Sequence, residues 1–308
     1  MNYQVLKLEF QTAVHFGKGG LTRSDCVLHA DTIFSALCIE ALKMNLLQEL
    51  VDSAMRDRIR ISDGLPFIGD ELYIPKPFMK IDHKDQGDSK KKKAMKKLEY
   101  VPVSALDAYA EGELDVQQAL QHYKDGIGSF VLNEKARVPE GEDAEPYAVH
   151  AFRFKKNSGL YICIGFENSQ NQMLIQELLE SLSYQGIGGK LSSGYGKFSL
   201  HMTRPHPELE ERLMNDHYNN YISLATALPS EEELKQVVPS ATFKLIRRSG
   251  FIQSETFSDT MQKKKDCYLF APGSCFQQKF NGCILNVAPE GGHHPVYRYA
   301  KPMFMGVR

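Results

Sequence analysis

The sequence predicts an α+β fold made of two units. Three observations carry that expectation. Across residues 1–202 the hydrophobic pattern runs strand, helix, strand, long insertion, strand, helix, strand. This is the order of a ferredoxin-like (RRM-like) unit with a segment inserted between its middle strands. Residues 203–218 then form a charged, Pro-containing connector, after which short strand-like segments resume from 219 to 308. Finally, 308 residues at roughly 100–200 residues per domain suggest two domains.

Each element has its own justification. Residues 3–11 alternate, with Leu6, Leu8 and Phe10 on one face and Lys7 and Glu9 on the other. A turn follows at His15-Phe16-Gly17-Lys18-Gly19-Gly20. Asp31 or Thr32, both good N-cap types, starts a helix with Ile33, Phe34, Leu37, Ala41, Leu42 and Leu46 as its apolar stripe. Residues 72–74 form a short strand closed by Pro75 and Pro77. From about residue 78 to 145 the character changes, through the lysine run at 90–97 to an acidic, turn-rich stretch at 141–146. This reads as an excursion from the core, partly mobile. The lysine run itself is either a solvated loop or a phosphate contact.

Residues 151–154 and 160–166 suggest a hairpin around Asn157-Ser158-Gly159. Leu174, Ile175, Leu178, Leu179 and Leu182 recur at helical spacing, and Phe198, Leu200 and Met202 alternate as a strand. In the second unit, residues 221–228, 241–246, 268–270, 283–287 and 303–307 are strand-like. Residues 229–237 form a short helix capped by Ser230, with Glu231 to Glu233 in its first turn. This is read as a second, degraded ferredoxin-like unit.

Composition narrows the function classes. Apolar content of 42% suits a folded core. A net charge of −1 leaves no global field to recruit nucleic acid, so such contacts must be local patches. The six cysteines form no CxxC pair. Cys267, Cys275, Cys283, His293 and His294 are poorly spaced for zinc, and neither metal nor cofactor is expected. Scattered free cysteines, no signal-peptide pattern and no apolar run of membrane length suggest a soluble, cytoplasmic protein.

The segment with most chemical content is QGIGGKLSSGYGKF, residues 185–198. Glycines reach positive φ and admit close backbone approach, and successive N–H groups in such a turn can cradle an anion. Candidate phosphate contacts are Gly186, Gly188, Gly189, Lys190, Ser192, Ser193, Gly194 and Lys197, with His15 and Lys18 from the turn after the first strand. Tyr195, Phe16, Arg247 and Arg248 are candidates for stacking on splayed bases, core packing being the alternative for the aromatics. Against a nucleotide P-loop stand the order helix, loop, strand, which is the reverse of what that site needs, and Tyr184 where the first glycine would stand.

Four segments carry a family resemblance: HADTIFSAL at 29–37, LYIPKPF at 72–78, KKLEYVPV at 96–103 and GHHPVYRYAKPMFMGV at 292–307. With the glycine loop after the second helix, they resemble the RAMP superfamily of CRISPR proteins. More narrowly, they resemble the fourth Csm subunits of type III-A effector complexes. Ala30 departs from the expected serine. The resemblance implies a non-catalytic subunit that holds the 5′ repeat-derived handle of CRISPR RNA. It implies docking on the polymerase-like large subunit and on a backbone RAMP subunit. It also implies that the insertion serves as a β-thumb against target RNA near the handle junction.

Two rivals remain at this point. One is a metal-independent RAMP endoribonuclease with His15 as general acid–base. Against it, such enzymes carry the glycine loop near the chain end, and neither His29 nor the His293-His294 pair has a recognisable acid partner. The other is a scaffold that touches no RNA, against which the lysine run and the glycine loop argue.

Overall fold

A computed structural model of the chain describes residues 1–17, 19–81, 89–137, 143–254 and 256–307. The alternation at the start becomes strand Asn2–Phe10, antiparallel to Ser158–Phe166 on one side and Phe198–Thr203 on the other. The main sheet runs in the order Phe198–Thr203, Asn2–Phe10, Ser158–Phe166, Leu65–Ile68, Glu71–Pro75, Tyr100–Pro102, with short Ile59–Ile61 also paired to Ser158–Phe166. Together with the helices on it, this is a mixed α+β fold.

Both faces of this sheet are covered. Leu6, Leu8 and Phe10 pack under helices Ala30–Lys43 and Ser169–Gln185. Val5, Tyr161 and Cys163 face the other way, against Ile222, Met303 and Met305 of the C-terminal part. That is why Ser158–Phe166 is buried at every position, as expected for a strand enclosed on two sides.

The helix Ala30–Lys43 begins at neither expected cap. His29 occupies the N-cap position without a side-chain cap bond, and the Ala30 N–H donates instead to Asp63 Oδ1 at 2.9 Å. The cap therefore comes from another part of the chain. Ile33, Phe34, Leu37 and Ala41 are buried as expected, whereas Leu42 is exposed.

The stretch from 78 to 145 is not a simple excursion. Residues 82–88 and 138–142 lie outside the described residues. The lysine run forms helix Ser89–Lys97, and Leu98, Val101, Leu106 and Val116 insert into the second hydrophobic cluster. Apolar residues spaced between the charges anchor the segment, a signal that the charge run obscures.

The expected hairpin of 151–154 with 160–166 does not form. Glu145–Phe154 pairs with Gly128–Arg137, from Gly128 opposite Phe154 to Arg137 opposite Glu145. Phe154 stacks on Phe10 at 5.0 Å between ring centroids and meets Phe152 edge-on at 4.9 Å, fastening the root of this ribbon to the core.

The stretch at 203–218 contains helix Pro207–Met214, with Leu209, Arg212 and Leu213 buried. Beyond it, Asn220–Ser223 lies between Cys275–Phe276 and Phe304–Val307. Leu245–Arg248 pairs with Cys267–Phe270, and Cys283–Asn286 with Tyr297–Ala300. These are three small separate sheets, not one continuous sheet. Phe270, Phe276, Phe280 and Phe304 pack edge to face between them. Helix Glu231–Val237 carries the expected cap: Ser230 and Glu233 form a reciprocal capping box.

Candidate nucleic-acid interface

The glycine loop connects helix Ser169–Gln185 to edge strand Phe198–Thr203, in the expected order. Most of its glycines serve close packing within the chain. Gly196 has φ 77°, and a Cβ there would lie 2.2 Å from the Ile187 carbonyl oxygen. The Gly189 N–H donates to the His15 carbonyl at 2.8 Å and the Gly196 N–H to the Ala13 carbonyl at 2.9 Å. The loop is thus laced to residues 13–16, and Gly188 lies against His15 and Phe16 for the same reason.

Its crest faces solvent. Lys190 takes a left-handed conformation at φ 61°, Leu191–Ser193 make one 3-10 turn, and Gly194 returns through φ 85°. A Cβ on Gly194 would meet nothing within 4 Å, so only its backbone angle demands glycine. The N–H groups of Gly188, Lys190, Leu191 and Ser192 have no hydrogen-bond partner among the described residues, while those of Ser193 and Gly194 close the turn. Ser192, Ser193 and Lys197 are exposed. Lys18 lies outside the described residues.

The ribbon completes the site, and sequence reasoning missed this. Asn133 Nδ2 donates to the Tyr195 hydroxyl at 2.9 Å, and Lys135 Nζ sits 4.7 Å from the centre of the Tyr195 ring. Lys190 Nζ lies 5.2 Å from the centre of the Tyr147 ring. Lys135 and Lys190 are thereby held on aromatic faces beside the crest. The alternation of Asn133 and Lys135 along one strand was available in the sequence, but the pairing that brings them to the loop was not.

Several candidate residues have other tasks in this conformation. Tyr195 is 6% exposed, packed with Ala13, Val149 and Ala151. A base could stack on it only if the ribbon moved away. Phe16 is buried in the main core. His15 is 5% exposed, and its Nδ1 lies 2.7 Å from the His150 carbonyl, within hydrogen-bond distance. Arg248 is engaged on the core helix: Nε and Nη2 donate to Asp31 at 3.0 and 2.7 Å, and Arg298 Nη1 joins at 3.2 Å. Arg247 is exposed and paired with Asp266. No hydrogen bond or ion pair among the described residues joins either arginine to the loop.

His29 does have an acid partner, contrary to expectation. Its Nδ1 lies 2.6 Å from Asp63 Oδ2. The same carboxylate accepts from the N–H groups of Ala30 and Thr226, each at 2.9 Å. Asp63 is therefore a junction between the two halves of the chain, engaged by three structural contacts. Among the described residues, no group of three or more His, Cys, Asp or Glu side chains could hold a metal, and no helix is long and apolar enough to cross a membrane.

Comparison with known proteins agrees with this architecture. The family model described as RAMP superfamily matches residues 7–199, and that described as CRISPR Csm4 C-terminal domain matches residues 216–307. The chain is 35% identical over 308 residues to the CRISPR system Cms protein Csm4 of Mycobacterium tuberculosis (strain ATCC 25618 / H37Rv), covering all of this chain and 98% of that one. It is 34% identical over 311 residues to the protein of the same description from Streptococcus thermophilus, covering 99% and 98%. Among solved structures, it is similar to a chain of a Csm3-Csm4 subcomplex of the type III-A CRISPR-Cas interference complex, at TM-score 0.68, 18% identity and 100% coverage of both chains. A chain of a Csm1-Csm4 cassette bound to pppApA is similar at TM-score 0.60 and 18% identity, covering 99% and 98%. The RAMP superfamily is the class that the sheet, the helices and the glycine loop define. Within it, the chain belongs to the Csm4 family.

Proposed function

We propose that this chain is the RNA-holding subunit of a type III-A CRISPR complex, binding the 5′ handle of CRISPR RNA at the crest of the glycine loop and doing no chemistry itself. The observation that carries the reading is the crest: the N–H groups of Lys190, Leu191 and Ser192, without partners among the described residues, flanked by Lys190 and Lys135 on the solvent side of the loop. Backbone donors and lysines hold phosphates and position RNA without reading its sequence. The covered sheet leaves no open sheet face for bases, which also favours the loop.

Membership in the Csm4 family supports docking against a polymerase-like large subunit and a backbone RAMP subunit, since relatives of this fold were crystallised with Csm1 and with Csm3. We read the first unit as ferredoxin-like. The order Phe198–Thr203, Asn2–Phe10, Ser158–Phe166, Leu65–Ile68, all antiparallel, with a helix before and after Ser158–Phe166, supports this. The ribbon Gly128–Arg137/Glu145–Phe154 is its thumb, placed beside the crest to meet target RNA near the handle junction. A non-catalytic role fits the burial of His15 and the structural engagement of Asp63.

The test is handle-RNA binding by the full chain with Gly194→Val compared with Lys190→Ala. Valine at a left-handed φ is strained, by about 1–2 kcal/mol, yet it meets no atom there. It therefore reshapes the crest without disturbing the core. The valine variant should lose more affinity than the alanine variant, with its thermal midpoint lowered by only about 2–3 °C. A folded Gly194→Val protein that binds the handle as tightly as wild type would remove the loop as the site.

A further inference from the structure

The main sheet has two edges, and the glycine loop serves one of them. It leads into Phe198–Thr203; helix Ser89–Lys97 leads into Tyr100–Pro102 at the opposite edge. Five strand spacings separate those edges, about 24 Å at ~4.8 Å each. The lysine helix is therefore a separate surface from the site described above.

Its charge is unusual for a folded helix. The sequence Ser89–Lys97 holds six lysines and no acid. Ala94 and Leu98 are buried and Met95 is half-buried, with helix Val116–Ile127 alongside, so one face is fixed to the core. Lys92, Lys93, Lys96 and Lys97 point outward, exposed, and none has an ion pair or hydrogen bond among the described residues. Lys92 and Lys96 are four apart, as are Lys93 and Lys97, the spacing at which like charges destabilise a helix. The helix is further fixed from below: Lys76 Nζ donates to the Met95 carbonyl at 2.8 Å. Burial of Ala94 and Leu98 thus holds a repulsive arrangement of Lys92, Lys93, Lys96 and Lys97 in place, none of them paired with a carboxylate among the described residues.

We propose that this helix is a second nucleic-acid contact, binding the phosphates of an RNA strand that runs beyond the glycine loop. Four residues of helix rise about 6 Å, so Lys92/Lys93 and Lys96/Lys97 form two cationic rungs spaced for neighbouring phosphates on one strand. Compact ammonium groups suit phosphate attraction, not base recognition. A contact there extends the RNA path across the subunit beyond the handle site.

The experiment uses the full chain, with Lys92, Lys93, Lys96 and Lys97 all changed to glutamine. Glutamine has a helix propensity close to that of lysine, so the fold is kept, which thermal unfolding checks. Binding of fluorescently labelled RNAs of about 4–8 and about 24 nucleotides is followed by anisotropy over a salt series. For the long RNA, the log–log salt slope should become shallower by about 2–3, at ~0.7 per lost phosphate contact on a single strand. Affinity near 0.1 M salt should fall by at least about tenfold. Binding of the short handle RNA should not change. An unchanged long-RNA slope in folded protein overturns the proposal, and so does an equal loss for both lengths. Gly194→Val run alongside separates the two sites. If it leaves short-RNA binding intact, the handle site fails, while the long-RNA comparison still judges the lysine helix.

Discussion

Replacing Asp31 by asparagine should unlock the two halves of the chain from each other. The Asp31 side chain is 6% exposed and carries the Arg248 bidentate pair together with Arg298, whose side chain is 3% exposed. Burial by itself would push the Asp31 carboxyl up. The charge and hydrogen bonds of Arg248, with smaller contributions from His29 and Arg298, outweigh it and hold the carboxyl below the usual carboxylate range. Asparagine keeps the shape but removes the carboxylate that Arg248 and Arg298 share. Removing one partner of such a buried network costs about 3–5 kcal/mol. For a chain of this size that lowers the midpoint of thermal unfolding by roughly 5–8 °C.

The pH dependence has a defined sign. A group whose folded pKa is depressed stabilises in full above its unfolded value, near 3.9 for aspartate, and loses that stabilisation as pH falls through the folded value. The gap between wild type and Asp31→Asn should therefore be widest at neutral pH and close on acidification below about pH 4. Thermal unfolding at a series of pH values measures both effects, and a double-mutant cycle with Arg248→Leu measures the coupling. A neutral-pH loss under about 1 kcal/mol, or costs for Asp31 and Arg248 that simply add, would show that the network does not join the halves.

Two further outcomes are expected. His15→Ala should leave target-RNA cleavage by a reconstituted complex unchanged per assembled particle, because the ring is buried with its Nδ1 at the His150 carbonyl. A loss of about a hundredfold, the usual size for removal of a general acid–base, would restore the nuclease reading. Ser230→Ala should cost about 1 kcal/mol in a denaturant titration, because it breaks the capping box of Glu231–Val237. A change within experimental error would mean that this short helix is held by packing alone.

Local regularities were legible in the sequence because they depend on neighbours along the chain. The period-two alternation at Leu6, Leu8 and Phe10 gave away a strand, the spacing of Leu174 to Leu182 a helix, and Ser230 with Glu233 a cap. The helix–glycine loop–strand order that argues against a P-loop was visible for the same reason. The ends of the family resemblance were equally visible as short motifs.

What no local pattern contains is the choice of partner. Residues 145–154 have strand character wherever they pair, and tertiary packing decided for Gly128–Arg137 over Ser158–Phe166. Asp31 has the chemistry of an N-cap, but Arg248 and Arg298, more than two hundred residues away, took its carboxylate, and Asp63 capped the helix instead. Tyr195 between glycines had the look of an exposed stacking platform until Asn133 and Lys135 folded over it. In each case a polar or aromatic group had two satisfactory fates. Charge pairing and burial across long sequence separations selected one, because an unpaired buried group costs more than a local bond returns.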